Sequence, residues 1–563
     1  MSTLNEQCKF LFSISHLSPE DTLILLLSIE QTRNINIENI KQFKNAINKI
    51  IKDTSVINIF NRIITNNSLL DNFNQIYWYE INENIIKQHY IMDIYNELCA
   101  ISHHNRHDLI MTPYYIYYLI FKIFNIQKND ILFDPCMGLG QILNYSPSTK
   151  IIGVEIDEEL YSIAYLHSLY CKKDSALYHS DFRNINLNYR PMYAIMNPPY
   201  TMGNKENSSE YEISFIKNLL DIMPKNSKVA VIVPQSTFNF VKPLKTKIRN
   251  SILLNNQLDG IISLNTYIYT NATISTCIAF FTTGKTNGNK HLTKFIDFKD
   301  DGCEENNRGH IPTDVTFEKI NTICNMWNNE DSPSYNDLIH YHHVEPSHDW
   351  SLGYYISPIT IPLANIFSET VKYYMIFYLS SLLNDHQYLF CQEHRFSKKR
   401  NIKTIKNQKW DNIELTEIFK IEGTKRSEME STGYYPYVSS TAKNNGHYSY
   451  CDFYTDEGNC IAVESAINGF STYQEYNFAS KGHIELLIPK FKLSRCSALF
   501  IVAILNNLHT SKYNYGYKAS KTRLRKESLL LPVDKNGAVD FDFMEEYIDR
   551  IWNSQKKIIS ERL

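Results

Sequence analysis

An apolar run that stops against two prolines constrains this chain more than any other feature. Met192-Tyr193-Ala194-Ile195-Met196 reads as a short buried strand, and Asn197-Pro198-Pro199-Tyr200 follows directly. Each proline fixes φ and removes a backbone donor, and a residue before proline is driven out of the helical region. The strand therefore ends in a stiff bend that aims the Asn197 amide and neighbouring carbonyls out of a sheet, beside an aromatic face. Two acceptors and a ring are what holding an exocyclic amine on a planar base requires. Asn-Pro is also ordinary turn chemistry, so the tetrapeptide alone leaves a plain turn equally open.

Three upstream markers narrow the reading. Ile131-Leu132-Phe133-Asp134 reads as a buried strand ending in an acid, and Pro135-Cys136-Met137-Gly138-Leu139-Gly140 continues it as a loop whose glycines allow close backbone approach to a ligand. Ile151 to Val154 reads as a second strand, with Glu155-Ile156-Asp157 at its end. A carboxylate there suits a ribose diol in a doubly wound fold, where ligands bind beyond the carboxyl ends of the strands. After a helix-like Glu158 to Cys171 comes His179-Ser180-Asp181-Phe182, an acceptor for an adenine amine beside a ring that can flank it. The first loop lacks the third glycine of a dinucleotide fingerprint.

In this order the markers resemble an N6-adenine DNA methyltransferase of the γ arrangement. More narrowly, they resemble the modification (M) subunits of type I restriction-modification systems, fused here to a target-recognition domain like that of specificity (S) subunits. The resemblance implies an α/β fold: a Rossmann-like S-adenosylmethionine-dependent methyltransferase core, a helical N-terminal domain and a C-terminal α+β target-recognition domain. It assigns the methionine part of the cofactor to Asp134, Pro135, Gly138 and Gly140, the ribose to Glu155 with Ile156 beside it, and the adenine to Asp181 and Phe182. Thr112-Pro113, opening an apolar helix at Tyr114, would cover the cofactor's carboxylate end. Asn197, Pro198, Pro199 and Tyr200 would be catalytic, with Tyr200 and Tyr269 stacking on the base. Cys136 and Met137 depart from the residues usual in the family, at positions where the backbone does the binding. Downstream, Lys228 to Phe238 resembles the next central strand and its loop, and Asn265 to Phe281 a late hairpin.

The chemistry implied is modest. A methyl sulfonium is already activated, so neither a metal nor a covalent enzyme intermediate is required. Acceptors at the Asn197 side chain and the Pro198 carbonyl would rehybridise the adenine amine and aim it, which is orientation and electrostatic preorganisation. The base is reached only after flipping out of the duplex.

At 563 residues the chain is long enough for about three domains. A formal net charge of −3 gives no global sign of a polyanion partner, so a DNA surface must be a local patch. Eleven cysteines without a C-x-x-C pair or any zinc spacing read as reduced and cytoplasmic. No signal-like start and no membrane-length apolar run argue against a membrane. The expected layout is a helical domain over residues 1–107, with helices across Pro19 to Ile29, Ile37 to Asp53 and Ile85 to Ser102. A catalytic domain follows over 108–350, a helical connector and basic linker over 351–410, and a target-recognition domain with a C-terminal helix over 411–563. The histidines at 103, 104, 107, 340, 342 and 343 read as solvated loop residues in preference to metal ligands.

The C-terminal matches to specificity subunits are Leu415 to Thr424, Tyr435 to Thr441 with the Asn444-Asn445-Gly446 turn, Ala462 to Gly469 and Leu529 to Val533. Lys512 to Lys526 is basic and aromatic, as a DNA-facing loop is, although packing against the domain's own sheet is as consistent for any one tyrosine. Residues 541–559 place Met544, Tyr547, Ile548, Ile551, Trp552, Ile558 and Ile559 mostly on one helix face. That face fits a homodimer or the chain's own core. No Glu-x-Lys occurs, so cleavage or translocation is expected of a separate restriction or translocase subunit. Double-stranded DNA is the expected substrate. Cytosine-N4 methylation, a protein-glutamine or ribosomal RNA substrate, and a non-catalytic DNA-binding scaffold remain open at this point.

Overall fold

The computed structural model describes residues 3–560 except 104–105, 107–108, 188, 201–207, 240–242, 270–273, 307–308, 329–338, 357–360, 384–403, 426, 428–432 and 515. Most of the basic run Arg395 to Lys409, with His104 and His107, lies outside the described residues. The chain divides into two compact units, Met1–Ser351 and Leu352–Leu563.

The first unit is built on a nine-stranded sheet: β1 (Ile131–Asp134), β2 (Lys150–Glu155), β3 (Asp174–His179), β4 (Tyr193–Met196), β5 (Lys228–Pro234), β6 (Asn256–Leu264), β7 (Thr276–Thr283), β8 (Thr293–Phe298) and β9 (Ile339–His342). Their order is β9-β8-β6-β7-β5-β4-β1-β2-β3. Strands β3, β2, β1, β4 and β5 run parallel, and β7 inserts antiparallel between β5 and β6. Covered on both faces, the central strands read as unbroken apolar runs, with Val229 to Val233 all buried. The chain leaves β1 for β2 on one side and later returns to β4 on the other. That topological switch opens a crevice beyond the carboxyl ends of β1 and β4, where the Pro135 loop and Asn197 lie.

Short helices precede the sheet. The expected helix from Ile37 to Asp53 is shorter, Ile40–Ile50, because Asp53 instead caps a new helix, Thr54–Ile63, by accepting from the Ser55 and Val56 N–H groups. Ile85 to Ser102 divides into Ile85–Gln88 and Ile91–Ser102, with His89 extended between them. These helices share one core with the helix Glu158–Cys171: Leu160, Ile163 and Leu166 pack into the cluster that holds Leu23 and Leu27. The Tyr161 hydroxyl donates to Asp53 at 2.8 Å across that interface. The helical segment is thus fastened behind β2 and the loop that follows it.

His340 and His342 do not lie on a loop. They fall on edge strand β9, two residues apart and so on one face, with their rings stacked at 6.4 Å.

In the second unit, strands Phe419–Gly423, Ile484–Pro489, Cys460–Glu464 and Ser471–Gln474 form one sheet. Tyr435–Val438 pairs with His447–Cys451 and Ala479–Ser480 in another. Lys409–Glu414 pairs antiparallel with Ser528–Val533, tying the start of the region to its end. The helices Ala364–Leu383, Arg495–Lys512 and Phe541–Ser560 share the main core, where Phe367 meets Phe500 at 4.6 Å and Tyr547 at 5.4 Å. Tyr374 and Tyr378 also lie against Trp552, so much of the apolar face of the C-terminal helix is covered within its own unit. Part of the aromatic stretch after Lys512 turns inward as well, and Tyr515 lies outside the described residues. Tyr513 and Tyr517 are buried and stacked, and the Tyr513 hydroxyl donates to Glu527 at 3.2 Å. Among the described residues no single helix is long and apolar enough to cross a membrane.

Candidate active site

Asn197 follows β4, and its amide is held by its nitrogen. Nδ2 donates to the Ile110 carbonyl at 2.8 Å and to the Thr112 hydroxyl oxygen at 3.0 Å. Those contacts fix which way the amide faces. Oδ1 is left as a buried acceptor without a hydrogen-bond partner among the described residues. A buried, unsatisfied acceptor costs roughly 1–3 kcal/mol, so its presence on a rigid bend marks a place where a donor is to arrive. Thr112, itself buried, is brought here by the turn that opens the helix Tyr114–Phe124.

Beyond β1, Gly138 and Gly140 adopt left-handed φ of 52° and 72°. At Gly140 an added Cβ would lie 2.7 Å from Leu143 Cδ1 and 3.0 Å from Ala164 Cβ. Gly140→Ala should therefore lower stability by about 2–5 kcal/mol, the sum of a left-handed alanine and a crowded contact. Urea denaturation of the full chain measures it.

The carboxylate of Glu155 organises this loop. Oε2 accepts from the Gly138 N–H at 2.8 Å, and Oε1 from the N–H groups of Ile156 and Asp157 at 2.8 and 2.9 Å. Burial raises its pKa nonetheless, against those three bonds. Asp134 is buried and accepts from the Cys136 N–H at 3.1 Å. Burial pushes its pKa up to about 7, opposed by that N–H and assisted by the neighbouring charge of Glu155.

Asp181 is already engaged. Arg183 Nε donates to its two carboxylate oxygens at 2.9 and 3.0 Å, and the Arg183 N–H adds a third bond at 2.9 Å. The Arg183 side-chain hydrogen bond holds Asp181 below the usual carboxylate range. The guanidinium lies over Phe215, 5.3 Å from its ring centroid, and Phe182 meets the same ring at 5.4 Å.

These groups surround one cavity of about 430 Å³, within the range of small-molecule and cofactor sites. Thr112, Pro135, Gly138, Glu155, Ile156, Asp181, Phe182, Asn197, Pro198 and Pro199 all line it. Ile156 is 65% exposed, an apolar side chain offered on the wall where a planar ring would need cover. Of the remaining sequence candidates, Pro113 starts the helix beside Thr112, Asp134 lies buried behind the loop, and Gly140 packs against Ala164. Tyr200 and Tyr269 are placed differently. Both are 7% exposed, neither lines the cavity, and their hydroxyls meet at 3.3 Å.

Among the lining residues that escaped the sequence reading are Arg106, Arg183 and Phe215. Arg106 reaches Asp157 at 2.9 Å and Glu20 at 3.9 Å. Arg183 sits two residues after Asp181, where its grip on that carboxylate was open to inspection in the sequence. Phe215 comes from the helix Ser208–Ile222 and carries no local signal.

Residues 87–348 match the family described as N-6 DNA Methylase. Residues 407–561 match the family described as Type I restriction modification DNA specificity domain. The Type II restriction enzyme and methyltransferase RM.BcgI of Heyndrickxia coagulans is 24% identical over 310 residues, 50% of this chain and 48% of that protein. The Type II restriction enzyme BgcI specificity subunit S.BcgI of the same organism is 26% identical over 192 residues, 32% of this chain and 54% of that protein. The chain thus spans about half the length of the curated relatives it matches. A solved type I restriction-modification methyltransferase subunit from Streptococcus thermophilus is 16% identical, with 60% of this chain and 89% of that one covered and a TM-score of 0.39.

Proposed function

We propose that this chain, an N-6 DNA methylase region joined to a type I DNA specificity domain, methylates adenine N6 at a specific site in double-stranded DNA. In this reading it is the modification component of a restriction-modification or related defence system. The observation that carries the proposal is the buried Asn197 Oδ1, fixed in direction and lacking a donor at the wall of the cavity.

The residues present fit S-adenosylmethionine. Glu155 offers its carboxylate at the end of β2 for a ribose diol, and the Gly138 turn keeps the backbone open beneath it. Ile156 and Phe182 offer faces to an adenine ring, and Asp181, kept charged by Arg183, offers an acceptor for its amine. When bound, this cofactor supplies an activated methyl group. Asn197 Oδ1 and the Pro198 carbonyl would each accept one N–H of the target amine, holding its lone pair toward the methyl. Tyr200 and Tyr269 would provide the stacking faces, which requires the pair to uncover a ring as the base enters.

Asp134 makes cofactor binding depend on pH. Its folded value is raised from 3.8 to about 7, so in the free protein its stabilising contribution is fully present below 3.8 and is lost as pH rises to about 7. The cofactor carries an ammonium and a sulfonium, which favour a charged Asp134, so its affinity should tighten from pH 6 to 8. Calorimetry should show that trend in the native protein and a flat profile in Asp134→Asn.

Duplex DNA is the proposed macromolecular substrate, read by the second unit. A separate cleaving or translocating subunit is favoured over a homodimer through the helix Phe541–Ser560, because Phe367, Tyr374 and Tyr378 already cover much of that helix's apolar face. The test is expression in a methylation-free host with single-molecule sequencing, beside Asn197→Ala. One sequence motif bearing N6-methyladenine only with the native protein supports the proposal. No modification from a soluble, folded chain sinks the self-sufficient form of it.

A further inference from the structure

Outside the cavity, Asp301, Cys303 and His310 form a group whose ligand atoms all lie within 4.8 Å of one another. It is the one such group of potential metal ligands among the described residues. We propose that this group is a structural zinc site, with ligands from the Asp301 carboxylate, the Cys303 thiolate and one ring nitrogen of His310, and a fourth position for the Tyr115 hydroxyl or a water.

Three observations converge on it. The first is burial. The side chains of Asp301 and His310 are each 3% exposed and lie 2.7 Å apart, and the buried Tyr115 hydroxyl donates to the same Asp301 oxygen at 3.1 Å. Asp301 also accepts from the Cys303 N–H at 3.0 Å and the Thr316 hydroxyl donates to the Cys303 thiol at 3.5 Å, so a carboxylate, a thiol and an imidazole are gathered in one small volume.

The second is the aim of the imidazole. His310 Nε2 is directed at the same Asp301 oxygen that accepts from the Tyr115 hydroxyl, so an imidazole nitrogen, a carboxylate and a phenol already converge on one point.

The third is the element these residues hold. Glu304–Asn306 and Gly309–Ile311 pair as a two-stranded ribbon separate from the main sheet. Its residues are Glu304, Glu305, Asn306, Gly309, His310 and Ile311, and Ile311 is 39% exposed, so it brings almost no apolar surface to a core. An isolated two-stranded hairpin is marginal in water, and small elements of this kind are held by metals or disulfides. Asp301-x-Cys303 enters the ribbon and His310 lies on its return strand, so a single ion would clamp both ends.

The donor set selects the metal. Thiolate with imidazole and carboxylate suits zinc, whereas magnesium and calcium take oxygen ligands. Zinc would take the place of the Cys303 thiol proton, which is released to solvent. With zinc–ligand bonds of about 2.0–2.3 Å, the Asp301–His310 separation would open to about 3.3 Å, a shift within side-chain reach.

The site also bears on the reaction. It lies past β8, on the carboxyl edge of the sheet, and Tyr115 belongs to the first turn of the helix that follows Thr112. The clamp would steady the turn from which Thr112 holds Asn197.

The test uses the full chain purified from zinc-supplemented medium and dialysed, followed by cobalt titration of the zinc-depleted protein. About one zinc per chain and a thiolate-to-cobalt absorption band are expected, both lost in Cys303→Ser and kept in Cys171→Ser. His310→Asn, which keeps a polar side chain, should bind at least about tenfold less metal. A chelator should also lower the melting temperature of the native chain and leave that of Cys303→Ser unchanged. Absence of bound zinc and of the cobalt band in the native chain, or a band that survives Cys303→Ser, overturns the proposal.

Discussion

Replacing Asn197 by alanine should lower the single-turnover rate of methyl transfer by about 10²–10³ or more while leaving cofactor affinity within a few-fold, the scale seen when one preorganised polar group is removed from a reacting centre. The asymmetry follows from the geometry. Oδ1 is directed at the cavity wall and is not spent on the protein, whereas Nδ2 is spent on Ile110 and Thr112. Deleting the amide removes what would orient the amine and nothing that organises the Glu155 loop.

Thr112 is the control that separates aim from presence. Thr112→Val keeps the shape and the helix start but removes the hydroxyl acceptor, so the Asn197 amide loses part of what fixes its direction. A flipped amide would present Nδ2 to the target amine, donor against donor. The expected result is a rate loss of about tenfold with an unchanged dissociation constant for DNA, the cost of one misdirected hydrogen bond, and recovery in Thr112→Ser. If Thr112→Val instead weakens only cofactor binding, the hydroxyl acts on the cofactor and not on Asn197.

The strand-end residues were legible because each marker is local: an apolar run, then a polar side chain whose backbone the next residue constrains. Asp134, Glu155, Asp181 and Asn197 needed no long-range information to be placed at the carboxyl edge of an α/β sheet. What the sequence could not show was who else reaches them. Arg106 and Phe215 arrive across 51 and 33 residues from their partners Asp157 and Phe182, and no period or motif announces either. Tyr200 and Tyr269 were expected to stack on the base, whereas the fold buries both off the cavity wall with their hydroxyls against each other.

Patterns of composition were weaker guides than strand ends. Lys512 to Lys526 looks like a loop for DNA because it alternates cations with tyrosines, but Glu527 draws the Tyr513 hydroxyl inward and Tyr517 stacks beneath Arg523 at 3.9 Å. The helix boundaries near Asp53 and His89 were lost for a related reason. Apolar spacing continues through a cap, and only the side-chain hydrogen bonds of Asp53 show where one helix yields to the next.

The second large effect is expected at Glu155. Its two oxygens accept three backbone N–H groups from two segments, Gly138 on one side and Ile156 and Asp157 on the other. Alanine would strand the part-buried Gly138 and Asp157 donors, leave the exposed Ile156 N–H to water and remove the ribose acceptor, so cofactor affinity should fall by about 10²-fold or more, given roughly 1–3 kcal/mol for each buried group left unpaired. Glutamine is the sharper variant. It can keep Oε1 on Ile156 and Asp157 while turning an amide nitrogen toward the Gly138 N–H, donor against donor. Because Gly138 holds a left-handed turn, the damage should concentrate in the Pro135 loop. Calorimetry should therefore give Glu155→Gln an affinity loss between those of the native protein and Glu155→Ala, with hydrogen exchange raised at Gly138 and unchanged at Asp157. Equal loss in both variants would place the whole effect on the ribose contact. Unchanged exchange at Gly138 in both would mean that the loop keeps its shape without the carboxylate.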